Sequence, residues 1–363
     1  MFGKKPDKSF SLLAVFAFVA ILSNLFSASA FGGPGPYIST SPQNWRDFRG
    51  DSFSSRNDKI LGAFFFYWYD VYTGSNLVTA YGDDLTSHPD YDYHLPIPFS
   101  FMDVGWWARE ISRMSHCGID LVLPDYWGRG AVSDDWSNLG LDHLNAALDT
   151  LDGQGASNHP KVAMFYDTTT LEGVDLNTPR GKDQLYGSIR DFYSRIRPDR
   201  WGRFDRKAVV VLYRMGGIVN INGDAFREAD RRFANDFGGV HLYFIGHPNF
   251  ANYGVPISKT FEWGAEVPQH NGVRIDHDVA VISPGSRHYN AHHTGSYGQD
   301  KLSRNAGNTY RNAWNVVLDS HKNIVFIETW NEFHESSGVS PTVEFGHREL
   351  DTTRHYSIIF HNH

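Results

Sequence analysis

Glu332 and Glu335 stand three positions apart just after an apolar run, in the stretch Ile324–Gly338, IVFIETWNEFHESSG. Carboxylates are rarely withdrawn from water without partners, so acids, an Asn and aromatics gathered where an apolar strand stops need a reason. Two carboxyl groups facing one cleft can break a glycosidic bond. One protonates the departing oxygen, and the other supplies or activates a nucleophile. The pair works when its surroundings keep one acid neutral and the other ionised. The spacing suggests that one helical turn after the strand brings both acids to a common cleft. Asn331 and His334 would then orient a hydroxyl or tune one acid. The competing reading has the glutamates only capping a helix start, where the dipole favours acids. The buried strand before them and Trp330 beside them favour the catalytic reading.

Such a pair must be held by a scaffold, and the chain supplies one in repeats. Apolar runs recur at Ile60–Tyr69, Ile119–Trp127, Lys161–Tyr166, Ala208–Tyr213, Val240–Gly246, Thr260–Gly264, Val279–Ser283 and Asn323–Glu328. Their continuous apolar character suits parallel strands covered on both faces. Between them, helical spacing appears at Val104–His116, Leu139–Leu151, Asp183–Ile196, Asp224–Phe237, Ser303–Leu318 and His347–Phe360. In the first of these Trp107, Ile111 and Met114 form the apolar stripe, with Arg109 and Glu110 outside it. Alternation of this kind predicts an α/β protein, a single (β/α)8 TIM-type barrel with long rim loops at Asp70–Phe101 and Gly264–Asp278. The fifth to seventh strands lack helical pattern between them, so loops are expected on that side. No linker or composition shift divides the 363 residues, and the barrel is assigned to 59–363.

Polar and aromatic residues concentrate where the strands end, which in such barrels is the catalytic rim. Acids and Asn grip hydroxyls while planar rings stack on the C–H faces of a sugar. The candidates for substrate binding are Tyr67, Tyr69, Asp125, Tyr126, Trp127, Asp167, Tyr213, Trp263, Trp330, Asn331 and His334. For Asp125 and Asp167 a strand-terminal turn competes with ligand binding. For Tyr67, Tyr69, Tyr126, Trp127 and Trp263, core packing competes.

Other chemistries find less support. The net charge of −8 argues against a nucleic-acid partner. His88, His94, His288, His292, His293, His361 and His363 cluster locally without an HExxH pattern, so no metal is expected. Tyr81–His94 is acidic but lacks the ordered spacing of a calcium loop. There is no phosphate cradle, GxSxG elbow or CxxC, and no cofactor is expected. Lys4, Lys5 and Lys8 precede an apolar run from Phe10 to Phe26 and a small-residue site at Ala28–Ala30. That pattern predicts a removable signal segment at 1–30, followed by a lead-in at 31–58. The chain is therefore expected to be exported and monomeric, with no lasting membrane association. Cys117 is its only cysteine, so no intramolecular disulfide is available. The expected partner is a glycan or polysaccharide. Two functions of different class fit: a glycoside hydrolase, or a non-catalytic carbohydrate-binding barrel that keeps the aromatic cleft.

The segment TWNEFHESSG, Thr329–Gly338, resembles the WNEWHEG motif of the glycoside hydrolase family 99 endo-α-mannosidases. Ile60–Tyr69 looks like the first strand of that family. Gly118–Gly128, GIDLVLPDYWG, resembles the second-strand signature of a related group, domain of unknown function 5010. Ser303–Trp314 and Glu344–Gly346 also fit that group, so the resemblance spans most of 60–355. It implies a retaining attack on α-linked sugars, possible in the interior of a chain. The residue matching Glu332 would be the base on the sugar 2-hydroxyl, and that matching Glu335 the general acid/base, by way of an anhydrosugar. After Glu335 this chain has Ser336-Ser337-Gly338-Val339, where the mannosidases carry Gly-Thr and then Gln-Ile-Glu. The substrate-binding carboxylate at that place in the mannosidases has no counterpart here.

Overall fold

A computed structural model describes residues 35–38, 52–79, 82–90, 98–128, 135–156 and 158–363. The expected signal segment, most of the lead-in and His94 lie outside the described residues. Among the described residues eight parallel strands form the body of the main sheet, with shorter strands at its margins: β1 (Ile60–Phe65), β2 (Leu121–Tyr126), β3 (Met164–Tyr166), β4 (Lys207–Leu212), β5 (Leu242–Gly246), β6 (Ile257–Thr260), β7 (Ala280–Ile282) and β8 (Ile324–Ile327). Their order is 6-5-4-3-2-1-8-7, so each strand from β1 to β6 lies beside its sequence neighbour and β8 returns to pair with β1. The register of that return sets Ile60 against Ile324 and Ala63 against Ile327. The result is a curled, TIM-like sheet. Every residue of β1, β2, β5, β7 and β8 is buried, which is why those stretches read as unbroken apolar runs.

The ladder does not continue from β6 to β7. One backbone hydrogen bond crosses there, from Val279 N to the Thr260 carbonyl at 3.1 Å. Asp278 reinforces it by accepting from the Thr260 amide and hydroxyl at 2.7 and 2.8 Å.

Among the described residues six helices cover the sheet: α1 (Val104–His116), α2 (Asp135–Gly153), α3 (Pro179–Arg195), α4 (Gly223–Asp236), α5 (Asn308–Ser320) and α6 (Arg348–Asn362). Their starts follow the local chemistry. Asp103 caps α1 by accepting from Trp106 N, Thr178 caps α3 from Gly181 N with Pro179 next to it, and Asn222 caps α4 from Asp224 N. After β5 there is only a short 3-10 segment, Pro248–Tyr253, and before β7 a brief antiparallel pairing of Val273–Arg274 with β7. Loops therefore build that side.

Two expectations are corrected. The sixth strand is Ile257–Thr260, and the run Thr260–Gly264 expected as strand mostly follows it. Phe261 still pairs its amide with Gly246 O at 2.9 Å before the chain turns away. Glu110, expected outside the apolar stripe of α1, is 1% exposed. It is tolerated there because its carboxylate receives the Trp330 indole, the Ser340 hydroxyl and Arg113.

Among the described residues no helix is long and apolar enough to cross a membrane. Part of the lead-in is fastened to the fold: Gly35 and Tyr37 donate to Ser194 in the last turn of α3, and Phe53 donates to Arg203 O.

Candidate active site

The chain leaves β8 through a fully buried acid. Glu328 accepts from Gly264 N at 2.9 Å through Oε1 and from Ala265 N at 2.9 Å through Oε2. This ties the end of β8 to the loop after β6. Burial, then the neighbouring Glu266, pushes the Glu328 carboxyl well above the usual range. Burial acts the same way on Glu266, but the bond from Glu328 and the charge of Lys301, 3.2 Å from its Oε1, hold it lower. Glu266 Oε2 is buried and has no ordinary donor facing it. A protonated Glu328 supplies that donor.

From Thr329 onward the backbone forms irregular turns rather than the expected helical turn. Each residue is anchored separately. Thr329 Oγ1 accepts from Glu332 N at 2.9 Å, and Trp330 N donates to Phe64 O at 2.7 Å. The Asn331 amide takes Phe66 N at 2.8 Å and gives to Phe66 O at 2.7 Å, imitating a strand partner where β1 has ended. The connection from β1 to α1 folds back over the turn. Thr86 and Ser87 amides reach Phe333 O, and the Thr86 hydroxyl reaches His334 O at 2.6 Å. On the other side Arg287 N donates to Glu335 O at 2.6 Å, and Arg304 donates to Ser336 O and Gly338 O at 2.6 and 2.8 Å. Gly338 has to be glycine: a Cβ there would lie 2.8 Å from Trp330 O and 3.0 Å from Asn331 Cα.

Both glutamates reach the same cleft. It is lined by Phe66, Trp68, Asp125, Trp127, Phe165, Asp167, Tyr213, Trp263, Tyr289, Glu332, His334 and Glu335. Glu332 Oε1 accepts from His334 N at 2.8 Å, His334 Nδ1 at 3.0 Å, Glu335 N at 3.4 Å and the Tyr69 hydroxyl at 3.4 Å. An oxygen gathering donors in this way is that of an ionised carboxylate. Glu335 differs. Burial, then the charges of Glu332 and Glu266, pushes its carboxyl up to about 7, against the pull of Lys301 and His334. The two acids thus sit differently: Glu335 is pushed toward its protonated form beside a Glu332 whose Oε1 already gathers donors.

Opposite lie two more acids. Burial and then Asp167 raise the Asp125 carboxyl well above the usual range. Its Oδ2 accepts the Trp127 indole N–H at 3.1 Å, while its buried Oδ1 faces no donor. Burial also raises Asp167, whose Oδ1 accepts from Thr169 N at 2.9 Å. Trp263 lies parallel to Phe165, with centroids 5.7 Å apart and planes at 9°, and Tyr213 meets its edge at 5.5 Å.

Of the sequence candidates, Glu332, Glu335, Asp125, Trp127, Asp167, Tyr213, Trp263 and His334 come together here. Tyr67, Tyr69, Tyr126, Trp330 and Asn331 do not line the cleft. They are buried behind it with internal partners: Tyr67 on Ser137, Tyr126 on Asn138, Trp330 on Glu110, Asn331 on Phe66, and Tyr69 between Glu332 and the Phe333 amide. For Tyr67, Tyr69 and Tyr126 the packing alternative describes their position. Phe66, Trp68, Phe165 and Tyr289 were not among the candidates. Trp68 and Phe66 alternate with the buried Tyr67 just past the end of β1, so a strict two-residue period carried on from the strand would have found them. Tyr289 sits on a long connection where no period guides the eye. The Glu262–Asp276–His277 group has the proximity of a metal site, but Arg274 already bonds both acids at 2.7 and 2.9 Å.

Comparison with known proteins agrees with this architecture. No curated protein matches the chain. The endo-alpha-mannosidase of glycoside hydrolase family 99 from Bacteroides thetaiotaomicron, solved alone and with bis-tris-propane, superposes with a TM-score of 0.60 at 14% identity, covering 84% of this chain and 98% of that one. A solved glycoside hydrolase-like protein gives a TM-score of 0.59 at 14% identity over 87% of this chain and 98% of that one. At such identity the likeness is one of fold. The profile described as domain of unknown function (DUF5010) matches residues 74–361, most of the chain and all four acids of the cleft, and the chain belongs to that family.

Proposed function

We propose that the chain is an exported, endo-acting glycoside hydrolase of the family 99 kind that cleaves an α-linked glycan with retention. Glu335 is the general acid/base, and Glu332 is the base on the sugar 2-hydroxyl or the nucleophile. One observation carries the proposal: Glu335, pushed up to about 7, keeps its proton beside a Glu332 whose Oε1 already collects donors. In the first step Glu332 Oε2 takes the proton of the 2-hydroxyl as that oxygen closes on the anomeric carbon. The glycosidic bond breaks, and the departing oxygen takes the Glu335 proton. Water, deprotonated by Glu335, then opens the anhydrosugar while Glu332 returns its proton to the 2-oxygen. If Glu332 is instead the nucleophile, the same Glu335 proton serves departure through a glycosyl ester.

Asp125 and Asp167 would hold sugar hydroxyls, and Trp127, Trp263 and Tyr213 would pack on the ring faces. Glu335→Gln is expected to abolish hydrolysis in a panel of α-mannans, α-glucans and algal polysaccharides read by new reducing ends, while ligand binding persists. Unchanged turnover would sink the assignment of the chemistry to this site, and binding without any turnover by the unaltered chain would leave a carbohydrate-binding barrel instead. NMR of the first-formed product should show the original anomeric configuration, and inversion rejects the route. As part of the same proposal, the β6–β7 seam completes a (β/α)8 barrel, the mature chain begins at Phe31 and the protein is monomeric. N-terminal sequencing of exported protein and its mass in solution test the last two.

A further inference from the structure

His334 is buried, and both of its ring nitrogens face acceptors. Nδ1 lies 3.0 Å from Glu332 Oε1. Nε2 lies 3.0 Å from the Asn76 carbonyl and 3.4 Å from Asp84 Oδ2. A neutral imidazole carries one N–H and can serve only one side. The imidazolium serves both. The other groups facing the ring are Tyr69, stacked at 5.3 Å and 28°, Tyr289 at 5.3 Å, Trp68 at 5.9 Å and the Glu335 carboxyl. None of these is a cation that would oppose a charge on His334. Burial works to lower the His334 proton affinity, but Glu332, Asp84 and the Asn76 carbonyl outweigh it and leave it raised.

Asp84 is set where it can act. Its amide donates to Leu77 O at 3.0 Å, fixing the turn of the β1–α1 connection, and two residues later Thr86 is bonded to His334 O. The segment that carries Asp84 is therefore the one that clamps the catalytic turn.

We infer that Asp84 is a positioning residue: it holds His334 as an imidazolium, and that cation fixes Glu332 Oε1 so that Oε2 is presented to the reacting sugar. Among the described residues Oε2 has no hydrogen-bond partner, which leaves it for the substrate. The inference rests on the proposed role of Glu332 for its catalytic meaning, though not for its geometry. His334 is then part of the machinery that aims the base, rather than a residue that reads the sugar.

Imidazole nitrogen–proton correlation NMR on the 15N-labelled chain tests this, with His334 assigned by its missing signals in His334→Gln. At pH 7 the wild-type ring should carry protons on both nitrogens. In Asp84→Asn the titration midpoint of His334 should fall. On a cleaved substrate kcat should drop about tenfold, because an imidazolium that has lost its ion-pair partner aims Glu332 less well, with KM little changed. Asp84→Glu should restore most of kcat. A neutral single tautomer in the wild-type chain at pH 7, or an unmoved midpoint in Asp84→Asn, overturns the inference. If Asp84→Asn does not fold, the wild-type measurement decides alone. The NMR readout needs no turnover. Expected titration without hydrolysis of any sugar rejects the hydrolase and keeps Asp84 in place, whereas hydrolysis with an unmoved midpoint rejects Asp84.

Discussion

At the residue scale, the proton on Glu335 has a cost to the fold. Its carboxyl sits at about 7 in the folded chain and near 4.3 in an unfolded one, so between these values the folded state holds a proton the unfolded state lacks. Stability from this group is therefore full at low pH and falls as pH rises through about 7. Glu335→Gln should be the more stable protein above that pH, by roughly 3–4 kcal/mol in urea titrations. Activity should fall on the same alkaline side, because the acid form is the one that protonates the leaving oxygen. A kcat profile still rising past pH 8 would reject Glu335 as the acid. Asn331 has a different job. Asn331→Ala strands the buried N–H and C=O of Phe66, and leaving two such groups unpaired costs roughly 2–4 kcal/mol, which a denaturant midpoint will show.

At the element scale, α1 and the catalytic turn are joined through Glu110. Glu110→Ala removes the acceptor of the Trp330 indole at 2.9 Å and of the Ser340 hydroxyl at 2.9 Å. It should cost roughly 2–4 kcal/mol and lower kcat as well, because the turn between Trp330 and Ser340 carries both acids. Glu110→Gln, which keeps an acceptor oxygen, should lose less on both measures. Sequence pattern located the strands because parallel strands buried on both faces leave apolar runs, and it located the helices through their stripes. It misplaced the sixth strand because Phe261 and Trp263 are as apolar as strand residues while belonging to a loop that feeds the cleft. It also put Glu110 outside the helix's apolar stripe, since its partners, Trp330 and Ser340, lie more than two hundred positions away.

At the scale of the whole molecule, the acids Glu332 and Glu335 were legible because they follow closely on the end of a buried strand. The division of the aromatics was not. Tyr67 and Trp68 are chemically alike to a reader of composition, and only the alternation of the strand sends one to Ser137 and the other to the cleft. Asp84 was hidden for the same reason as Glu110: its partner comes from the far end of the chain.

The gap between β6 and β7 has a dynamic consequence. Elsewhere adjacent strands share a ladder, while here one backbone bond, Val279 to Thr260, and the Asp278 side chain span the interval. Cooperative units of a fold open where the fewest bonds must break together. Amide exchange with deuterated solvent should accordingly be fastest along this seam and slowest across β1, β2 and β8. Glu328 straddles the region from β8 to Gly264 and Ala265, so each opening tugs on the residue just before the catalytic turn. A covalent tether between β6 and β7 would quiet the exchange, and the rate at which products leave would reveal whether breathing at this hem sets the pace of turnover.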